Sequence, residues 1–386
     1  MIVSGEASGD LHGANLAKAL KRISPEASLC GMGGTAMTEA GVEILYDAAR
    51  MAVVGIIEVI SHFSDIRAAR QTLYAELRNN PPDLLILIDY PGFNLMMAAY
   101  AKKLGIPIFY YISPQVWAWH ASRIKKIKKL VNRMAVILPF EQGFYQKRGM
   151  KVDFVGHPLL DSVNHKVPRA EFLAKQDIPA DATVVGLLPG SRKKEISSLL
   201  PVYLEAARLL AEDHDEIVFL LPLAPSLCRA DLDENGLADC DLPIKVIDGG
   251  DRYDLMAACN AVIATSGTVT MELAILGIPM IVTYCTSPIT AWLARKLVEV
   301  KYVSLVNLVA DREVVPEVLQ EEVTAKNLAN QLAPLLYAPK VIETMRKGMA
   351  EVCELLGGPG ASERAAKIAM EIITEQQTTK PDKISR

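Results

Sequence analysis

Short apolar runs recur along the chain, and most are followed by a segment whose apolar positions return every three or four residues. That alternation predicts strands interleaved with helices, and so parallel sheets covered on both faces. In the first half the predicted strands are Met1–Val3, Leu84–Ile88, Ile106–Tyr111, Met134–Leu138 and Val152–Val155, with a helix near Leu11–Arg22. The run LLILI at 84–88 has no polar position, as a central parallel strand requires. Polar residues return over Asp161–Arg169, where DSVNHKVPR carries a proline and predicts a linker. The pattern then starts again, with strands at Thr183–Leu188, Ile217–Leu221, Ile244–Ile247, Ala261–Ala264 and Pro279–Thr283. Ala325–Glu375 reads as helix broken at Gly357-Gly358-Pro359-Gly360, and Gln376–Arg386 as a polar, frayed tail. The expectation is an α/β chain of two Rossmann-like domains, 1–163 and 164–340, followed by carboxyl-terminal helices over 341–386. A first strand of only three residues predicts further residues upstream of Met1.

Length and composition support two cores. A chain of 386 residues suits two domains of roughly 150–200 residues. With 51% hydrophobic and 22% charged residues, each can bury a substantial interior. The net charge of −4 argues against a general nucleic-acid binder, whose footprint is basic. Six scattered cysteines without a C-x-x-C pair suit reduced thiols in a cytosolic protein and offer no zinc site. Met1-Ile2-Val3 runs straight into Ser4-Gly5-Glu6, which is not a signal peptide, and Gly277–Ala294 is broken by Pro279 and Pro288, which makes a poor membrane span.

Two loops carry the candidate chemistry of the second half. In Asn260–Val282 a buried strand gives way to Ser266, Gly267 and Thr268 and then to a short helix. These small residues let backbone N–H groups approach an oxyanion at a helix N-terminus. Glu272 follows at a distance suited to a ribose hydroxyl rather than to phosphate. Val184–Arg192 repeats the design, a strand emptying into Pro189-Gly190-Ser191 with Arg192 available for a forked contact to a diphosphate. Together the loops predict a bound nucleoside diphosphate.

In the first half, Asp89 directly follows LLILI. At the carboxyl end of an apolar strand it is either a partly desolvated base or a cap for the next turn. Glu6, Ser8, Gly9 and Asp10 stand beside a first glycine loop as cleft candidates, with capping of the Leu11 helix as the alternative. Asn94 and Gln115 belong to the same group of acceptor or cleft candidates. The pairs Asp213/Asp215, Asp231/Asp233 and Asp239/Asp241 have metal-binding D-x-D spacing but lie in polar stretches that fit solvated surface better, so no metal is expected. His157 reads as a structural hydrogen-bonder rather than a base. RIKKIKKLVNR at 123–133 is an amphipathic helix that either faces solvent or meets anionic groups, and the greasy run Met51–Ile60 is either core or an exposed patch.

Seven motifs in order, GEASGD at 5–10, IDYPGFN at 88–94, YISPQVWAW at 111–119, VGHPL at 155–159, LPGSR at 188–192, TSGTVTMELA at 265–274 and SLVNLVADREVVPE at 304–317, resemble those of the lipid A disaccharide synthases. The resemblance spans nearly the whole chain and implies an inverting glycosyltransferase of GT-B type, with two Rossmann-like domains facing a cleft. It implies transfer from UDP-2,3-diacylglucosamine to 2,3-diacylglucosamine 1-phosphate without metal or cofactor. Residues 1–163 take the acceptor and face the membrane, 164–340 bind the UDP-sugar, and 341–386 pack across the domains or are exchanged in a homodimer. The place of work is the cytoplasmic face of a Gram-negative inner membrane, in peripheral contact with it. Asp89 takes the place of the catalytic base, Gly190, Ser191, Arg192, Ser266, Gly267, Thr268 and Glu272 that of the UDP site, and Asn307 that of an important asparagine at the donor. The family's first strand is usually longer. Two other classes stay open from the residues themselves: another enzyme on this scaffold, such as a UDP-N-acetylglucosamine epimerase, and a nucleotide-sugar sensor with no need of Asp89.

Overall fold

In a computed structural model the described residues are 1–51, 63–117, 123–214, 216–286 and 301–379. They form two compact units, Met1–Asp161 with Leu356–Arg386, and Ser162–Leu355.

The first unit holds β1 (Ile2–Ser4), β2 (Cys30–Gly33), β3 (Glu43–Asp47), β4 (Leu85–Ile88), β5 (Ile108–Tyr111), β6 (Arg133–Val136) and β7 (Asp153–Phe154). They pair in parallel in the order β3-β2-β1-β4-β5-β6-β7. Every residue of β4 and β5 is buried, because helices cover both faces. One core packs Leu85, Leu87 and Tyr110 against helices that include Pro91–Lys103 and Ile124–Leu130. The opposite core packs Ile86, Ile88 and Phe109 against the helix Ala7–Ile23 and against Ala365, Ala366 and Ala369 of the last helix, Ala361–Thr379. β2 and β3 escape the hydrophobic pattern. Gly31 in β2 lies so close to β1 that a Cβ there collides with the Ile2 backbone, and β3 is a partly exposed edge.

The second unit repeats the plan with β8 (Thr183–Leu188), β9 (Ile217–Leu223), β10 (Ile244–Asp248), β11 (Ala261–Thr265), β12 (Met280–Tyr284) and β13 (Glu317–Leu319), in the order β10-β9-β8-β11-β12-β13. All pairings are again parallel. Each sheet therefore reverses its winding once, between β1 and β4 and between β8 and β11. In open α/β sheets ligands gather beyond the strand ends at such a reversal. Ser4 lies opposite Ile88 and Leu188 opposite Ala264, so in each unit the two loops leave the sheet side by side.

The apolar run at 52–60 lies outside the described residues. Among the described residues no helix is long and apolar enough to cross a membrane. All six cysteines are unpaired.

Candidate active site

At the reversal of the first sheet the backbone is strained. Asp89 and Tyr90 have φ of 42° and 44°, and Ile112, at the end of the adjoining β5, has φ of 62°. Non-glycine residues rarely adopt this left-handed region, least of all a β-branched one, and such strain gathers at functional sites. The turn is held from several sides. Asp89 N–H donates to the Ile112 carbonyl at 3.2 Å. Asn94 Nδ2 donates to the carbonyls of Ile88 and Asp89 at 3.0 and 2.8 Å, and the Tyr110 hydroxyl also donates to Asp89 O. All of these bonds go to backbone groups of the turn rather than to the Asp89 carboxyl group. Burial raises its pKa to about 7, the Glu6 carboxylate adds to the rise, the Tyr90 N–H opposes it, and Glu141 adds to it again. A carboxyl that titrates near neutrality is matched to general-base work.

From Ala7 onward the GEASGD segment is helix rather than loop. The helix starts at Ala7, so Glu6 is its N-cap and Ser8, Gly9 and Asp10 lie in its first turns. Gly5 is required because a Cβ there stands 2.6 Å from Tyr90 Cγ, so the Tyr90 ring occupies that space. Glu6 and Ser8 are exposed while Gly9 is buried against Ser4 and Ile88. Asp10 does cap a helix, but not its own. It accepts the N–H groups of Gly34, Ala36 and Met37 at 2.6, 3.0 and 3.2 Å, closing the helix Thr35–Glu39. Asn94 is fully buried and braces the Asp89 turn, and Gln115 is exposed on the segment after β5.

The reversal of the second sheet has opposite chemistry. Gly190 has φ of 122°, a conformation that favours glycine, and turns the chain into the helix Lys193–Asp213. Glu195 Oε2 accepts the N–H groups of Ser191 and Arg192 at 2.9 and 3.2 Å, and its other oxygen accepts from Arg192 Nη1 at 3.1 Å. A carboxylate thus sits on the amides and guanidinium that suit an anion. The neighbouring loop is open. Gly267 is exposed, has extended backbone and no atom of a described residue within 4 Å of where a Cβ would stand, and caps the helix Thr268–Leu276. Ser266 Oγ donates to Val303 O at 3.1 Å, which fixes the loop.

Two residues that sequence reasoning did not single out join this group. Arg252 Nη2 and the Tyr253 hydroxyl donate to Glu272 Oε1 at 3.1 and 3.3 Å. Burial pushes the Glu272 carboxyl up and Arg252 and Tyr253 oppose it. Arg252 follows β10, and no local motif announces it, because its partner comes from the helix after β11. Asn307 is fully buried. Its Oδ1 accepts from Val314 and Val315 N–H at 2.7 and 3.0 Å, and its Nδ2 donates to Val315 O and to Glu317 at 2.8 and 2.9 Å. Glu317 in turn accepts from Val303 N–H at 2.8 Å, so Asn307 reaches the Ser266 loop through two intermediaries.

Other candidates have local duties. His157 Nδ1 accepts from Leu159 N–H at 3.2 Å, and burial, then the nearby His12, pushes its pKa down to about 3, so it is a neutral structural group. Asp231 accepts from Cys228 N–H at 2.9 Å and pairs with Lys193 at 2.7 Å, and Asp233 pairs with Arg229 at 2.8 Å. Asp239 and Asp241 are exposed, while Asp215 and the Asp213 side chain lie outside the described residues. Among the described residues no group of three or more His, Cys, Asp or Glu is arranged to hold a metal ion.

The family model of lipid-A-disaccharide synthetase matches residues 1–372. The chain is 47% identical over 378 residues to the lipid-A-disaccharide synthase of Geobacter metallireducens, covering 98% of each. It is 41% identical over 373 residues to that of Coxiella burnetii strain RSA 331, covering 97% of this chain and 98% of that one. Among solved structures, UDP-GlcNAc 2-epimerase of Neisseria meningitidis bound to UDP-GlcNAc superposes with a TM-score of 0.64 at 14% identity, over 97% of this chain and 99% of that one. The calicheamicin glycosyltransferase does so with a TM-score of 0.59 at 15% identity, over 98% of each. At those identities the two structures speak for the shared two-Rossmann fold alone.

Proposed function

Because the chain belongs to the lipid-A-disaccharide synthase family, we propose that Asp89 is its catalytic base and that the Gly190 and Gly267 loops hold its nucleotide leaving group. The reaction is a glycosyl transfer. 2,3-Diacylglucosamine passes from UDP-2,3-diacylglucosamine to the 6-hydroxyl of 2,3-diacylglucosamine 1-phosphate, with release of UDP. Attack on C1 of the donor, with inversion, forms the new C–O bond as the bond to UDP breaks. The hydroxyl proton must leave, and Asp89 takes it.

The single observation that carries this reading is the Asp89 carboxyl, poised at about 7 on a strained strand end. UDP gains negative charge as it departs. Arg192 and the amides around Ser191 and Gly267–Thr268 would take it up, displacing Glu195 from the first loop. Preorganised donors of this kind contribute ~3–4 kcal/mol each. Glu272, oriented by Arg252 and Tyr253, would receive ribose hydroxyls. Asn307 serves the donor by holding the Ser266 loop in place.

Both substrates are acylated, which supports a peripheral seat on the cytoplasmic side of an inner membrane. The proposed contact includes the face bearing Lys125, Lys126, Lys128 and Lys129, all exposed. The turn at Gly149 lies against Lys128, which brings the exposed Lys147, Arg148 and Lys151 to the same side. A homodimer is proposed on the resemblance, and sedimentation at several concentrations tests it. The decisive experiment is UDP release in detergent micelles with EDTA, with and without acceptor. Acceptor-dependent release, with the tetra-acylated disaccharide phosphate found by mass spectrometry, is the expected result. Release without acceptor, or epimerised UDP-sugar, would overturn the reading.

A further inference from the structure

The strained Ile112 carbonyl accepts the Asp89 N–H, so whatever holds Ile112 also holds the base. The next residue, Ser113, is 3% exposed and its hydroxyl donates to Glu141, itself 1% exposed. Trp117 Nε1 donates to the same carboxylate oxygen at 3.1 Å. The other oxygen accepts the N–H groups of Ile137 and Leu138 at 3.2 and 3.0 Å. A helix cap needs only the contact to Leu138, at the start of the helix Pro139–Gln146. A buried carboxylate with two further side-chain donors does more, because it ties the segment after β5 to the turn after β6. We propose that Glu141 is a positioning residue for the transfer, fixing the Ile112–Trp117 segment and through it the backbone of Asp89.

This inference rests on Asp89 as the base. Glu141 also adds its charge to the field at that base, alongside Glu6 from the turn after β1. Tyr110 from β5 faces Asp89 as a neutral hydroxyl, Tyr90 from the turn after β4 faces Glu6, and Tyr145 faces Glu141 from its own helix. Removing the Glu141 charge should therefore let Asp89 lose its proton at lower pH, which reports the charge, while kcat in a variant that keeps the charge and cuts the Ser113 tie reports the positioning.

The test uses the full chain in detergent micelles, following acceptor-dependent UDP release from about pH 5.5 to about pH 9. Glu141→Gln should lower kcat ~10–100-fold, keep UDP affinity by calorimetry, and move the acid limb of kcat/KM downward. Ser113→Ala, which keeps the charge and cuts the tie, should lower kcat without moving that limb downward. A Glu141→Gln protein with reduced Tm but wild-type kcat and acid limb overturns the proposal. If that variant does not fold, wild-type kcat in Ser113→Ala overturns it equally. Asp89→Asn measured in parallel separates the failures: an active Asp89→Asn removes the base, whereas an inactive one beside a normal Glu141→Gln removes only this role for Glu141.

Discussion

The two units reverse their sheets at equivalent places, yet their loops there carry different chemistry. In the first, carboxylates gather: Asp89 at the strand end, with Glu6 and Glu141 near enough to raise it. The backbone is strained, and the glycine at the first turn, Gly5, makes room for the protein's own Tyr90. In the second, amides and guanidinium groups gather at Ser191, Arg192 and Arg252, and Gly267 makes room for nothing that the described residues supply. Topology thus fixes where chemistry happens, and the residues at the reversal decide its sign. A proton acceptor is made by desolvating a carboxylate, and an anion site by leaving donors exposed.

The strongest way to break that contrast is at its poles. Asp89→Asn should cost ~10²–10⁴-fold in kcat while UDP affinity by calorimetry stays near wild type, since Asp89 is assigned no donor contact. The same variant tests the electrostatics. Folding holds the Asp89 proton up to about 7 against an ordinary 3.8, so the native state binds more protons between those values. Wild-type stability should fall as pH rises through that window, and the Tm of Asp89→Asn should lack that part of the fall. Arg192→Ala comes next. Its loss should weaken UDP binding and lower turnover with it, the latter by ~10²–10³-fold, and unchanged affinity by calorimetry would count against its role.

Glycine substitutions sharpen the comparison at smaller cost. Gly267→Ala has open space and extended backbone, so its Tm should match wild type while UDP affinity falls several-fold, the methyl standing where a phosphate approaches. Gly5→Ala should do the reverse. Its Cβ stands 2.6 Å from Tyr90 Cγ, so Tm should drop and kcat with it, leaving UDP affinity intact. Equal losses of stability in both variants would erase the distinction between a glycine kept for ligand and one kept for packing.

Legibility in the sequence follows the same divide between local and distant causes. β4, β5, β8 and β11 were readable because burial on both faces leaves a continuous apolar run, and Asp89 and the Gly190 and Gly267 loops were readable because they follow such runs directly. β2 was hidden by glycines required for close approach to β1, and β3 and β13 by short or exposed edges. Asp10, a cleft candidate with capping of the helix beside it as the alternative, caps instead a helix that begins at Thr35. Arg252 and Glu141 gave no signal at all. Their meaning lies in partners 20 or more residues away, brought close only by the fold.

The smallest expected effect tests how the base is tuned. Burial is the main reason the Asp89 carboxyl is raised, and Glu6 is the leading charge behind it. Glu6 is exposed, so its field crosses water and salt should screen it, with a Debye length of about 10 Å at 0.1 M. A base must be deprotonated to act, so kcat/KM should rise with pH through an acid limb near 7. Glu6→Gln removes a negative neighbour, which favours the ionised form and should shift that limb downward by a few tenths of a unit to about one unit. Added salt should lower the wild-type limb toward that of Glu6→Gln and leave the variant less affected. Glu141 is buried and screened far less, so its own downward shift should survive the same salt. If neither Glu6→Gln nor Glu141→Gln moves the limb at low salt, the limb is set by burial in the strained turn and not by the carboxylates around it.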